Sequence, residues 1–177
     1  FYYLSREKNK SLTKDQIMIM SSSVLLAAMS IPLQAAKAGT TFAEEGMQKE
    51  KNRRMAQLLG FDINPRRRSI LEELLNQGIL DAVIPEVKEL YLILEEEFSP
   101  LDLVQRVIPL LKVLSGQKKL QSYVRPLETL LVVRLLSQLA DIYYSVKLDY
   151  FKALLSDLDM PFMEIEKTVI KAVKARQ

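Results

Sequence analysis

The sequence predicts an all-α chain in which helical-repeat hairpins, stacked right-handed and solenoid-like, lead into the helical part of a winged helix. Three observations carry that expectation. Apolar residues recur three and four apart in segment after segment, the period of one helix face. The 177 residues include only 5 Gly, too few for many tight hairpins, and strand-like alternation is scarce. Helical stretches of roughly 8–20 residues alternate with short breaks marked by Pro, Gly or Ser, the spacing of helix pairs that bury a face against each neighbour. No strict period is visible, so the repeat is degenerate.

The first clear helix starts near Thr13, where Thr13 and Gln16 have capping-box spacing. Its predicted apolar face is Ile17, Met20, Val24, Ala27 and Ile31, and Pro32 follows. Residues 33–46 are non-periodic and predict a loop. A basic helix is expected from Met47 to Leu59, capped by Gly60, and residues 61–68 form a connector. A short helix should open at Ser69, with capping-box spacing to Glu72, and end at Gly78. Pro85 begins the next, with Val87, Leu90, Tyr91, Leu94 and Phe98 on one face. Ser99 and Pro100 read as a cap and a first-turn proline of a helix that holds Pro109 and stops at Gly116. Pro126 should open the longest helix, with an apolar stripe of Leu127, Leu131, Leu135, Leu139 and Ile142 as structural core. A short helix near Leu148 and a last one after Asp159 and Pro161, burying Ile165, Val169 and Val173, complete the chain. Two divisions follow: residues 1–125 as a repeat arm and 126–177 as a winged-helix part whose wing hairpin is missing. Phe1, Tyr2, Tyr3 and Leu4 read as the middle of a helix, so the chain is expected to be an internal piece of a longer polypeptide.

Composition narrows the chemistry. Hydrophobic residues make up 49% and charged residues 27%, a globular balance. With no His and no Cys, neither a Ser-His-Asp nor a Cys-His site can be built, and zinc sites with those ligands are excluded. Carboxylates, lysines and tyrosines remain, and none clusters into a catalytic, metal or cofactor site. Glu95, Glu96 and Glu97 predict a solvated helix end, because adjacent residues on a helix point in different directions. Tyr143 is expected to pack between the arm and the terminal unit. No apolar run reaches the roughly 18 residues of a membrane span. No membrane partner, small-molecule substrate or enzymatic activity is expected.

Charge is asymmetric. Residues 1–68 carry 12 Lys/Arg against 6 Asp/Glu, and residues 69–177 carry 13 against 16. Lys51, Arg53, Arg54, Arg66, Arg67 and Arg68 form the candidate partner or RNA contact. Arg forks suit phosphate oxygens, but no aromatic residues interleave as base-stacking platforms, so any RNA contact would be to the backbone and salt-sensitive. Acidic faces of partner proteins fit equally, and solvated surface is the plain alternative. A DNA-reading helix-turn-helix is a rival of another class. Glu164 and Glu166, in the first turns of its would-be reading helix, weaken it.

Four segments resemble the largest, a-type, subunit of eukaryotic translation initiation factor three. They are SVLLAAMSIP (Ser23–Pro32), EKNRRMAQLLGF (Glu50–Phe61), EVKELYLILEEEFSPLDLVQRVIPLL (Glu86–Leu111) and LQSYVRPLETLLVVRLLSQLADIYYSVKL (Leu120–Leu148). They occur in order and cover most of the chain; residues 33–46 and 115–119 match poorly. The resemblance implies a PCI domain, a helical-repeat arm ending in a winged helix, and a cytoplasmic, non-catalytic scaffold role in translation initiation. It implies as partners the other subunits of the factor, notably the c-type PCI subunit, and the small ribosomal subunit through protein and rRNA, with mRNA a further candidate. PCI subunits of the proteasome lid and the signalosome are the alternative within that class.

Overall fold

The computed structural model describes residues 12–33, 47, 50, 51, 53–55, 57, 58 and 67–176, with side chains through residue 173. The chain is all-α, with no strand among the described residues. Its helices are α1 (Lys14–Met29), α2 (Arg67–Asn76), α3 (Pro85–Tyr91), α4 (Leu103–Ser115), α5 (Val124–Ile142), α6 (Leu148–Leu154) and α7 (Phe162–Arg176). Between Met47 and Leu58 the described residues have helical backbone. The expected loop after residue 33, the Gly60 cap, the connector before Arg67 and the opening Phe1–Leu4 reading lie outside the described residues.

Packing is mostly serial. α1 packs on α2 and α3, α3 with its π-turn extension on α4, α4 on α5, and α5 on α7. One apolar core runs through all of these, from Leu25 to Ile165.

Local chemistry explains most boundaries. Thr13 caps α1 with a reciprocal pair: its hydroxyl accepts from Gln16 N at 3.4 Å, and the Gln16 side chain accepts from Thr13 N at 3.2 Å. Gly78 closes the turn after α2 at φ 68°, a left-handed conformation that glycine adopts without a Cβ penalty. Pro85 sits at the first turn of α3, where its missing N–H costs nothing. Two expected caps are displaced. α2 has already begun at Arg67, so Ser69 is inside it. α4 begins at Leu103 after Asp102, and the Ser99 carbonyl accepts from Leu103 N at 2.9 Å. Likewise α5 starts two residues before Pro126, which fits the first turn because no N–H is needed there.

α1 buries a different face from the one its spacing suggested. Its buried residues are Ser21, Ser22, Leu25, Leu26, Ala28 and Met29, while Ile17, Met20, Val24 and Ile31 are half-buried and Ala27 is exposed. The segment is apolar nearly all round, so periodicity alone does not choose a face. Ser22 is one group that favours the observed one. Its hydroxyl accepts from Ile84 N at 3.0 Å, satisfying a backbone donor ahead of α3, and donates to Met18 O at 2.7 Å.

α3 runs on as a π-turn, Leu92–Glu96, closed by Glu97 N to Leu92 O at 2.9 Å. The wider turn breaks the helical phase that would have carried Val87, Leu90, Tyr91 and Leu94 on to Phe98. Phe98 is exposed instead.

Candidate functional site

Among the described residues, the candidate cations are not all on the surface. Lys51 and Arg53 are exposed. Arg54 is exposed and pairs with Glu50 one turn earlier at 3.1 Å. Arg68 is exposed and pairs with Glu72 at 2.8 Å; that hydrogen bond, reinforced by the nearby charge, raises its pKa. Arg66 lies outside the described residues. Arg67 is a correction: its side chain is only 10% exposed and pairs with Glu95 instead of facing solvent.

Arg67 instead anchors a charge cluster that sequence reasoning missed. Its Nη1 donates to Glu95 Oε2 at 3.1 Å, its Nη2 donates to Glu95 Oε1, and Nη2 also reaches the Met29 carbonyl at 3.3 Å. That carbonyl lies at the C-terminus of α1, where the helix dipole favours a cation. From α5, Arg134 Nη2 donates to Glu95 Oε2. One carboxylate, 9% exposed, therefore ties α1, α2, the π-turn and α5 together. Arg67 Nε, Arg134 Nε, Ser99 Oγ and Gln138 Oε1 are buried with no hydrogen-bond partner. Gln138, itself buried, donates through Nε2 to the Glu97 carbonyl at 3.0 Å.

The expected solvated end at Glu95–Glu97 is thus corrected in part. The Glu95 side chain is only 9% exposed, whereas Glu96 and Glu97 are exposed but engaged. Glu96 accepts from the Tyr91 hydroxyl at 2.9 Å. Burial of the phenol first, and that bond second, push the Tyr91 pKa up to about 12. Glu97 pairs with Arg106, whose hydrogen bond holds the carboxyl below the usual carboxylate range. Little in the sequence signalled Glu95: it stands in a run of three acids, 28 residues from Arg67 and 39 from Arg134.

The predicted core stripe lies on α5. Leu127, Leu131, Leu135 and Leu139 are buried. Ile142 is a correction, at 50% exposed. It is the last helical residue, and Tyr143 after it is already extended (φ −110°, ψ 132°), so Ile142 falls beyond the packed stretch. Tyr143 is also exposed, at 42%, at the edge of a cleft.

Around that end the last three helices show an apolar face. Leu136, Leu139, Tyr143, Val146, Leu148, Phe151, Ile165, Val169 and Ile170 are among the walls of a cleft of about 480 Å³. Of the cleft's residues, Tyr144, Leu148 and Ile170 are exposed, as are Ile142, Tyr150, Met163 and Val173 on the same three helices. At the other end of α7, Arg125 bonds Glu164 Oε2 at 2.8 Å, Glu128 at 3.0 Å and the Asp159 carbonyl at 3.1 Å, fixing α7 on α5. Glu164 is thereby committed to an intramolecular pair. Among the described residues no group of three or more acids could hold a metal, and no helix is long and apolar enough to cross a membrane.

A family model described as eIF3a, PCI domain, TPR-like region, matches residues 1–102. The chain belongs to that family. Curated relatives agree, each named as the A-type subunit of eukaryotic translation initiation factor 3. The Rattus norvegicus protein is 37% identical over 98% of this chain, the Homo sapiens protein 36% over 98%, and the Arabidopsis thaliana protein 35% over 98%. The chain spans 13% of the length of the first two and 19% of the third. In the eIF3a family frame, α1, α2 and α3 fall inside the TPR-like match, and α4 begins where the match ends.

Proposed function

We propose that this chain is a non-catalytic scaffold segment of a eukaryotic translation initiation factor 3 complex, acting in the cytoplasm by holding other subunits and, through them and its own basic segment, the small ribosomal subunit. Family membership supports a place in that factor. The observation that carries the scaffold reading is the apolar face of α5, α6 and α7. Exposed Tyr144, Leu148 and Ile170 in an open cleft are unfavourable in water and favour association. On this reading residues 126–177 are the helical part of a winged helix, completed by a wing hairpin from sequence outside this chain, and residues 1–125 are the arm. The edge of the completed module meets a sister PCI subunit of the c type.

The basic segment is the proposed ribosome-facing element, now limited to Lys51, Arg53, Arg54 and Arg68 among the described residues. These side chains are long and exposed; Lys51 and Arg53 have no ion pair among the described residues, and Arg54 and Arg68 are held only by surface pairs, which exchange readily for phosphate.

The test is co-assembly of the full-length protein carrying Leu148→Asp and Ile170→Asp. The expected result is loss of the sister PCI subunit from the purified complex while the melting temperature of the free protein stays within a few degrees. Retention of every sister subunit at wild-type stoichiometry would overturn the reading.

A further inference from the structure

A second groove lies between the first turns of α1 and the 116–120 turn after α4. Met18, Ile19 and Ile84 form its apolar floor, and Asp15, Gln117, Lys118 and Lys119 line its rim, enclosing about 380 Å³. We propose that this groove docks an acidic, amphipathic segment of a second polypeptide, which inserts apolar side chains between Met18, Ile19 and Ile84 and sets carboxylates against Lys118 and Lys119.

The floor is incomplete as a core. Ile17, Met18, Ile19 and Met20 are four consecutive apolar residues, all only half-buried, on a helix whose other face is covered by α2 and α3. A helix that is apolar nearly all round needs cover on more than one side. The rim sets the charge of the cover. Lys118 and Lys119 are exposed, and neither has a counter-ion among the described residues. Lys14, beside Asp15 and equally unpaired among the described residues, offsets the one carboxylate of the rim. Exposed cations such as Lys51, Arg53 and Lys112 are likewise unpaired among the described residues; what sets Lys118 and Lys119 apart is that they are adjacent and border an apolar floor. A pair of free lysines above an apolar floor is therefore complementary to carboxylates on an apolar helix or strand.

Other occupants fit less well. RNA would place phosphates over an apolar floor that offers no aromatic platform for bases. The first ten residues of the chain carry Arg6, Lys8 and Lys10 against Glu7, so they would be repelled by the rim.

The experiment uses the full-length protein with a fluorescein-labelled synthetic helical peptide that has leucines one turn apart on one face and glutamates on the others. Its controls are a twin with lysines for glutamates and another with serines for leucines. Anisotropy should show binding of the leucine–glutamate peptide alone. Lys118→Glu with Lys119→Glu should weaken it about tenfold or more and admit the lysine twin. Both positions are exposed, so the variant should fold. Equal binding of all three peptides, no binding of any, or unchanged affinity in the variant would overturn the proposal. So would displacement of the peptide by a short RNA. A carbodiimide cross-link in the free protein from Lys118 or Lys119 to its own Glu44 or Glu45 would equally overturn it, because the occupant would then belong to the chain itself.

Discussion

Glu95 holds two guanidinium groups in a place that water barely reaches. Such a cluster contributes little relative to well-packed apolar residues, because desolvation offsets most of the Coulombic gain, but removing one member strands the others. Glu95→Ala should therefore destabilise the chain by about 3–5 kcal/mol in urea unfolding. Replacing Arg67, Glu95 and Arg134 together with Met, Leu and Met should restore most of that loss. If the triple variant is as unstable as the single one, the cluster does more than neutralise itself. Arg68→Ser, one residue from Arg67 in sequence, should leave the melting temperature unchanged, since its partner Glu72 is solvated. Tyr91 adds a pH signature. Its pKa in the fold lies above the ordinary 10.0, so its contribution is fully present below that pH and is lost as pH rises toward about 12. Stability of the native chain should fall more steeply across that window than that of Tyr91→Phe; parallel curves would remove Tyr91 from the account. The sequence pattern distinguished neither Arg67 from Arg68 nor Glu95 from Glu96 and Glu97. In a run of identical charges, which one turns inward depends on helix phase and on partners distant in sequence.

Helices were more legible than caps, and caps more legible than faces. The Thr13 capping box, the Pro85 start and the Leu127–Leu139 stripe follow directly from local spacing. Ser69 and Ser99 misled because tertiary packing extended α2 upstream and shortened α4. The π-turn was invisible, since nothing in LILEE separates it from an α-turn, and it moved Phe98 to the surface. For α5, Leu135→Ala should cost about 2–5 kcal/mol, because the side chain is fully buried and a cavity would remain. Ile142→Ala should cost well under half of that, because half of Ile142 is already in solvent. Equal losses measured by urea unfolding would mean that the end of α5 is packed.

On the scale of the whole molecule, packing is serial and each helix rests mainly on its neighbours, with the Glu95 cluster and Arg125 as polar ties across the series. That packing leaves an apolar cleft beside α5, α6 and α7 and a groove beside α1 uncovered, surfaces that the proposed scaffold role would use. The family was legible from four ordered segments; the surfaces were not, because exposure depends on what packs beside each helix. Binding to the small ribosomal subunit should weaken when Lys51, Arg53, Arg54 and Arg68 of the full-length protein are changed together to Ser, and the slope of log affinity against log salt should become shallower. An unchanged slope would leave these four as solvated surface. The scaffold claim itself is tested most directly by amide hydrogen exchange on the full-length protein, free and within the assembled factor. The account predicts added protection on assembly across the end of α5, α6 and α7, around Tyr144, Leu148 and Ile170. Identical exchange of those amides in the free and assembled states would contradict it.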